Sequence, residues 1–188
     1  MNNYRLKYYI FLDELNEKII KNIQNLKKRK IDLKLIVSEK ILFSILDFVK
    51  YSKIPFFIID NAKLATKYKA NGIFLTSKNR SLVNISKDSR RNEVIGSAHN
   101  QYEYFIKERQ GCSTIFLSPI FYNKKYTHNN ILGVLKFNLI CQYWRAKICA
   151  LGGVNLNNFK KIKMTRATSV AFISLIKKRI IKKPTYYF

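Results

Sequence analysis

Short runs of β-branched and aromatic residues recur along the chain, each of strand length: Tyr8 to Leu12, Leu33 to Val37, Phe56 to Ile59, Ile73 to Leu75, Glu93 to Ile95, Thr114 to Leu117, Lys147 to Leu151 and Ser169 to Phe172. They are close to continuously apolar rather than alternating, which fits strands covered on both faces. Between most of them the apolar spacing changes to three and four. Glu14 to Arg29 places Leu15, Ile19, Ile23 and Leu26 on one face, and Ile41 to Tyr51 does the same with Leu42, Ile45, Leu46 and Val49. Gln101 to Gln110 and Phe137 to Trp144 repeat the texture. These spacings predict helices. Strand and helix alternating in this way predict a parallel sheet with helical crossovers, and eight units favour closure into a single α/β (β/α)8 TIM barrel. With 188 residues the barrel must be compact, with short helices and tight loops. The crossover near Arg80 to Arg90 is polar and reads as mostly loop. An open doubly wound sheet is the competing architecture. Residues 1–181 are expected to form the barrel and residues 182–188 a C-terminal tail.

Composition changes this picture only at its edges. Apolar residues make up 47%, enough for a sizeable core. No uncharged apolar run approaches the roughly 18 residues of a membrane span. The amino-terminal apolar stretch is short and is followed by Asp13 and Glu14, so no signal peptide is expected, and the reading is a cytoplasmic protein. Cys112, Cys141 and Cys149 form no C-x-x-C pair and lie in or beside apolar stretches, so buried free thiols are expected rather than a zinc site. Thirty-six Lys and Arg against 11 Asp and Glu give a net charge of +25. That balance attracts anions. Lysine, isoleucine and asparagine are abundant throughout, which also fits an AT-rich coding sequence with no dedicated nucleic-acid surface.

In parallel barrels the reactive groups collect in the loops that leave the carboxyl ends of the strands. After the seventh strand, Gly152 and Gly153 permit tight turning and close backbone approach, and a helix expected to begin near Asn155 would offer free N–H groups to an anion. After the eighth, Ile173 and Ser174 lead into another helix. Together these exits match the phosphate site that barrels commonly build after strands seven and eight. After the fifth comes Gly96-Ser97-Ala98-His99-Asn100, where Ser97 can contact a ligand and His99 can act as acid or base. The alternative is a helix cap at Asn100 or Ser97 with His99 on an exposed first turn. Asp60 follows the third strand and can hold Mg²⁺ or cap a helix. Lys40 follows the second, and Lys124 and Lys125 lie in a long basic loop after the sixth that can act as a lid over an anion.

The order of these pieces resembles the thiamine phosphate synthase and thiazole tautomerase (TenI) family. The resemblance runs from Tyr9 to Ile176. It is carried by Pro55-Phe56-Phe57-Ile58-Ile59-Asp60, Ala70-Asn71-Gly72-Ile73-Phe74-Leu75, Ile95-Gly96-Ser97-Ala98-His99, Ile115-Phe116-Leu117-Ser118-Pro119-Ile120-Phe121, Ala150-Leu151-Gly152-Gly153-Val154 and Val170-Ala171-Phe172-Ile173-Ser174. It implies a (β/α)8 fold that handles a thiazole phosphate. The synthase joins that compound to hydroxymethylpyrimidine diphosphate with Mg²⁺ and releases pyrophosphate; the tautomerase rearranges the thiazole ring.

Several family positions differ. Of the Q-x-R-x-K signature after the second strand, Ile36-Val37-Ser38-Glu39-Lys40 keeps only Lys40. The Asn-Asp pair after the third reads Ile59-Asp60, and the second metal-binding acid falls on Asn79. The H-L-G-Q segment reads Phe74-Leu75-Thr76-Ser77, and the T-x-T-K loop reads Asn123-Lys124-Lys125-Tyr126. The phosphate half of the site is thus kept and the metal and diphosphate half eroded. A synthase would use Asp60 for Mg²⁺ and Lys40 with Lys124 or Lys125 for the diphosphate. A tautomerase would use His99, which matches the family histidine, and no metal. A non-catalytic barrel binding phosphorylated ligands or RNA is the third reading. The expected partners are the thiazole phosphate and the pyrimidine diphosphate, with no membrane; a homodimer is compatible with the sequence.

Overall fold

Eight parallel strands close into a ring in chain order, each hydrogen-bonded to the next and the eighth to the first. The structure is a computed structural model that describes residues 6–81, 93–123, 130–173 and 175–178. The strands are β1 (Lys7–Leu12), β2 (Leu33–Val37), β3 (Phe56–Ile59), β4 (Gly72–Leu75), β5 (Glu93–Ala98), β6 (Thr114–Leu117), β7 (Lys147–Ala150) and β8 (Ser169–Phe172). The helices are α1 (Glu17–Lys28), α2 (Leu42–Ser52), α3 (Ala62–Lys67), α4 (Gln101–Arg109), α5 (Gly133–Tyr143), α6 (Phe159–Ile162) and α7 (Leu175–Lys178), with one 3-10 turn at Glu39–Ile41 before α2. No described helix is long and apolar enough to cross a membrane.

The period of two along each strand sorts the apolar residues into two layers. One face fills the barrel interior: Tyr9, Ile36, Phe57, Phe74, Ile95 and Phe116 belong to one buried cluster. The other face packs against the helices, where Leu35, Ile58, Ile115 and Val170 join Ile19, Ile23, Ile45 and Phe137. The interior is unusually aromatic. Phe11, Phe74 and Phe116 meet edge to face with centroids 5.1 to 6.1 Å apart. At the amino-terminal end, Lys34 of β2 reaches across to Glu93 of β5 at 2.9 Å and lies over the Tyr9 and Phe57 rings, closing the bottom of the barrel.

The helices begin where short polar side chains take up free amides. Asn16, Asn61 and Asn100 accept from Ile19, Leu64 and Glu103 at the starts of α1, α3 and α4. The cysteines are free; Cys112 and Cys149 are buried and Cys141 partly so. Burial pushes the Cys112 and Cys141 thiols up to about 12 and that of Cys149 higher still, which leaves them without thiolate chemistry at neutral pH.

Three local expectations are revised. β5 runs to Ala98 rather than ending at Ile95, because Gly96, Ser97 and Ala98 pair in register with Ile115, Phe116 and Leu117. The helix after β7 starts at Phe159, not near Asn155; residues 156–158 form a turn built by asparagine side chains. α3 has no counterpart in the apolar spacing, since six residues with two lysines show little periodicity. The polar crossover expected near Arg80 to Arg90 lies mostly outside the described residues, as does the tail from Lys182 to Phe188.

Candidate functional site

The strand exits share the carboxyl end of the ring, and the inward positions just below them set its floor. Glu93, Ile95 and Ser97 alternate inward along β5, so His99, just past the strand, continues the same face. Ser97 is buried at this level.

His99 is fixed from two sides. Its backbone N–H donates to Glu103 Oε2 at 2.7 Å, while the Glu103 N–H donates to Asn100 Oδ1 at 2.9 Å. This is a capping arrangement displaced by one residue, and it anchors the histidine to the start of α4. The ring Nδ1 lies 2.9 Å from the Ser118 carbonyl oxygen and 3.2 Å from Ser118 Oγ. A carbonyl only accepts, so Nδ1 carries the proton and Nε2 the lone pair in the neutral ring. His99 is therefore half-buried with an assigned tautomer, not a side chain on an exposed first turn. Asn100, not Ser97, caps α4.

The exits of β6 and β7 interlock. Ile120 and Phe121 donate their N–H groups to the carbonyls of Leu151 and Gly152 at 2.9 and 3.0 Å. Gly152 and Gly153 have φ of +93° and +71°, and a Cβ on Gly153 would lie 2.2 Å from the Phe121 carbonyl oxygen. The glycines are thus required by the backbone path itself. Among the described residues nothing accepts from the Gly152 or Gly153 N–H. Three of the amides beyond them are spoken for: Asn157 and Asn158 donate to Asn155 Oδ1, and Asn155 donates to Asn158 Oδ1. The expected free helix start at Asn155 is therefore corrected to a closed asparagine turn, and the two glycine amides stay open at the strand exit. β7 and β8 are neighbours with Ala150 opposite Val170, so extending the register brings Gly152 level with Phe172, one residue before the half-exposed Ile173.

Asp60 leaves β3 with φ +50°, a conformation that Asp tolerates better than most residues, and its N–H donates to the Phe74 carbonyl. The turn aims its carboxylate at the loop after β4. Oδ1 accepts from the Thr76 N–H and from Asn79 Nδ2, each at 2.9 Å, and Oδ2 accepts from Thr76 Oγ1 at 2.6 Å. Behind Asn79 lies Lys107 of α4, fully buried, whose ammonium donates to the Asn79 carbonyl at 2.6 Å and to Gln110 Oε1 at 2.9 Å. Nothing in the apolar spacing of α4 distinguishes Lys107 from a solvated lysine; the signal was Gly96, whose missing Cβ lets the lysine stem pass at a distance that a side chain would close to 2.8 Å.

An Mg²⁺ cage needs several oxygen ligands, normally including more than one carboxylate or a phosphate. The described residues do not fit it: Asp60 already accepts three donors, Asn79 presents an N–H₂ toward it, and no group of three potential metal-ligating side chains occurs among them. Lys40 is exposed in the 3-10 turn after β2, and Glu39 beside it lies 3.4 Å from Asn61 Nδ2. Lys124, Lys125 and Ser174 lie outside the described residues. The structure thus joins His99 to the β6 exit through Ser118, and joins that exit to Gly152 and Gly153. Asp60 belongs to a separate network with β4 and α4.

A family model described as thiamine monophosphate synthase matches residues 13–176. The thiamine-phosphate synthase of Prochlorococcus marinus is 32% identical over 122 residues, 64% of this chain and 35% of that protein. That of Mannheimia succiniciproducens is 27% identical over 144 residues, 74% of this chain and 66% of that protein. The chain thus spans less than two thirds of the length of either relative. Among solved structures, thiamine phosphate pyrophosphorylase from Pyrococcus furiosus superposes with a TM-score of 0.74 over 95% of this chain and 91% of that one, at 16% identity. A 4-hydroxy-2-oxoglutarate aldolase superposes with a TM-score of 0.67 at 10% identity, a likeness of fold alone. With the ring of eight strands, the β6 and β7 exits and a model match over most of its length, the chain belongs to the thiamine monophosphate synthase (TMP-TENI) family.

Proposed function

We propose that this protein is an enzyme of thiamine biosynthesis that binds thiazole phosphate at the mouth of its barrel and joins it to hydroxymethylpyrimidine diphosphate. The observation that carries this reading is the interlocked β6 and β7 exit, where Gly152 and Gly153 keep two unpartnered amides beside the neighbouring β8 exit. Backbone N–H groups of this kind suit a phosphate monoester. The aromatic floor of Phe11, Phe74 and Phe116 offers a flat apolar surface to a heteroaromatic ring.

In the coupling step the thiazole nitrogen supplies the electron pair for a new C–N bond to the pyrimidine methylene. The C–O bond to the diphosphate breaks, and pyrophosphate leaves with that pair. Lys40, with Lys124 and Lys125, would neutralise the departing charge, and Ser97 would help seat the ring. Catalysis of this kind rests on positioning and electrostatics. The test is direct: the folded protein, given both substrates and Mg²⁺, should form thiamine phosphate detectable by mass spectrometry. Absence of product from protein with an intact melting transition would remove the reading.

One observation favours a second reading. The Ser118 carbonyl pins the His99 tautomer so that Nε2 is the basic nitrogen, the state needed to move a proton on a bound thiazole phosphate. In a thiazole tautomerase, His99→Ala abolishes isomerisation and leaves thiazole phosphate binding intact; unchanged isomerisation in that variant would exclude the role.

A further inference from the structure

We propose that Asp60 is the anchor of the loop after β4 and not a ligand for a divalent cation, and that this barrel mouth takes up its phosphorylated ligand without one. The inference deepens the reading of the mouth as a thiazole phosphate site. It stands on a count of donors. A carboxylate offers about four lone-pair directions. Three are occupied on Asp60, by the Thr76 N–H, the Thr76 hydroxyl and the Asn79 amide. All three belong to the loop of the next strand, so the carboxylate does for that loop what a cap does for a helix.

The atom facing Asp60 decides the matter. Asn79 Nδ2 lies 2.9 Å from Oδ1. Two carboxylates at this separation repel and are relieved by a shared cation; a carboxylate and an amide N–H₂ attract and need none. Asn79 also cannot turn its oxygen toward a cation without loss, because its Oδ1 accepts from the Ser81 N–H at 3.1 Å. Its backbone carbonyl is held by Lys107 Nζ at 2.6 Å and by Gln110 Nε2 at 3.1 Å, and Gln110 Nε2 also donates to the Ser81 carbonyl at 2.7 Å. The loop is thus gripped from the β3 side by a carboxylate and from the α4 side by a buried ammonium. Lys107 thus lies on the far side of the loop from Asp60, held by the Asn79 carbonyl and Gln110 Oε1 and within electrostatic reach of the carboxylate. The protein's own donors, Thr76 and Asn79, stand where the metal chemistry of a two-carboxylate site would be.

The experiment measures Mn²⁺ uptake by electron paramagnetic resonance, which needs no turnover. The wild-type chain is expected to show no saturable uptake up to about 1 mM Mn²⁺, the range in which weak carboxylate sites fill. Asn79→Asp creates the paired carboxylates, and it is expected to bind Mn²⁺ in that range and to lose the binding again when Asp60→Asn is added. Saturable uptake by the wild type that disappears in Asp60→Asn would overturn the proposal, as would an Asn79→Asp variant that folds and binds nothing. Should Asn79→Asp fail to fold, Asp60→Asn alone decides. A loop anchor lowers the melting temperature by the same amount in EDTA and in Mg²⁺, whereas a metal ligand lowers it only in Mg²⁺. A parallel thermal-shift arm with thiazole phosphate in EDTA separates the two readings. No shift with or without Mg²⁺ rejects the ligand class and leaves the Mn²⁺ result standing; a shift that requires Mg²⁺ rejects the metal-free site.

Discussion

The backbone of His99 is anchored by a neighbour four residues on, while Ser118 orients its ring. Glu103 holds the His99 N–H and is itself the third residue of α4. Glu103→Ala should therefore act as the loss of a positioning residue. In a proton-transfer assay we expect kcat to fall about tenfold or more with KM little changed, and Glu103→Gln, which keeps an acceptor, to recover most of it. An equal loss in both variants would argue against positioning. The glycine pair supports a prediction of stability instead. Gly153→Ala puts a side chain at φ +71° and against the Phe121 carbonyl, so unfolding in denaturant should show a loss of at least about 1–3 kcal/mol. Of this scale the sequence had shown which residue types leave each strand. It could not show that Asp60 turns to Thr76 and Asn79 while His99 turns to Ser118, because those contacts join positions 16 to 19 residues apart.

At the scale of elements, the strands are held by two apolar faces and by one ion pair at the bottom of the ring. Phe116 touches Tyr9, Phe11 and Phe74 and is fully buried, so Phe116→Ala should cost about 3–5 kcal/mol in denaturant unfolding. A loss well under 1 kcal/mol would mean that the interior collapses around the gap. The ion pair predicts a pH dependence. Burial alone would raise the Glu93 carboxyl, but the hydrogen bond and charge of Lys34, with Ser113, bring it below its ordinary 4.5. A carboxyl lowered in the folded state adds stability above 4.5, and that contribution fades as pH falls below it. Glu93→Gln should thus melt below the wild type at pH 7, with the gap closing as pH is lowered from 4.5 toward 3. A gap constant across that range would place the effect in packing. Six strand starts and six strand ends were legible to the residue because β-branched and aromatic runs are abrupt. β5 was cut short in the reading since Gly96 and Ser97 carry turn chemistry locally, and only pairing with Ile115 and Phe116 keeps them in the sheet.

The whole molecule carries a charge of +25, and four ion pairs between described residues join Lys21, Lys34 and Lys177 to acids. Net charge of this size repels itself in the compact state and is screened over a Debye length of about 10 Å at 0.1 M salt. The melting temperature should therefore rise as NaCl is taken from about 10 to 150 mM. A flat or falling response would show that local pairs outweigh the global field. The same titration bears on nucleic acid: binding driven by this charge alone should vanish steeply over that range.

The sequence by itself determined the alternation of strands and helices and favoured a closed ring over an open sheet. Those follow from period and run length, which are local, while the family was legible only as a resemblance in the order of the motifs that leave the strands. The tertiary structure alone decided which exits meet. Closing the ring sets β6 against β7 and β3 against β4, and the path of each backbone then chooses the partner of each side chain. Hydrogen bonds form between atoms at about 3 Å whatever their separation in the chain. That is why Asp60 and His99, two residues of similar promise on paper, end in different networks with different chemistry.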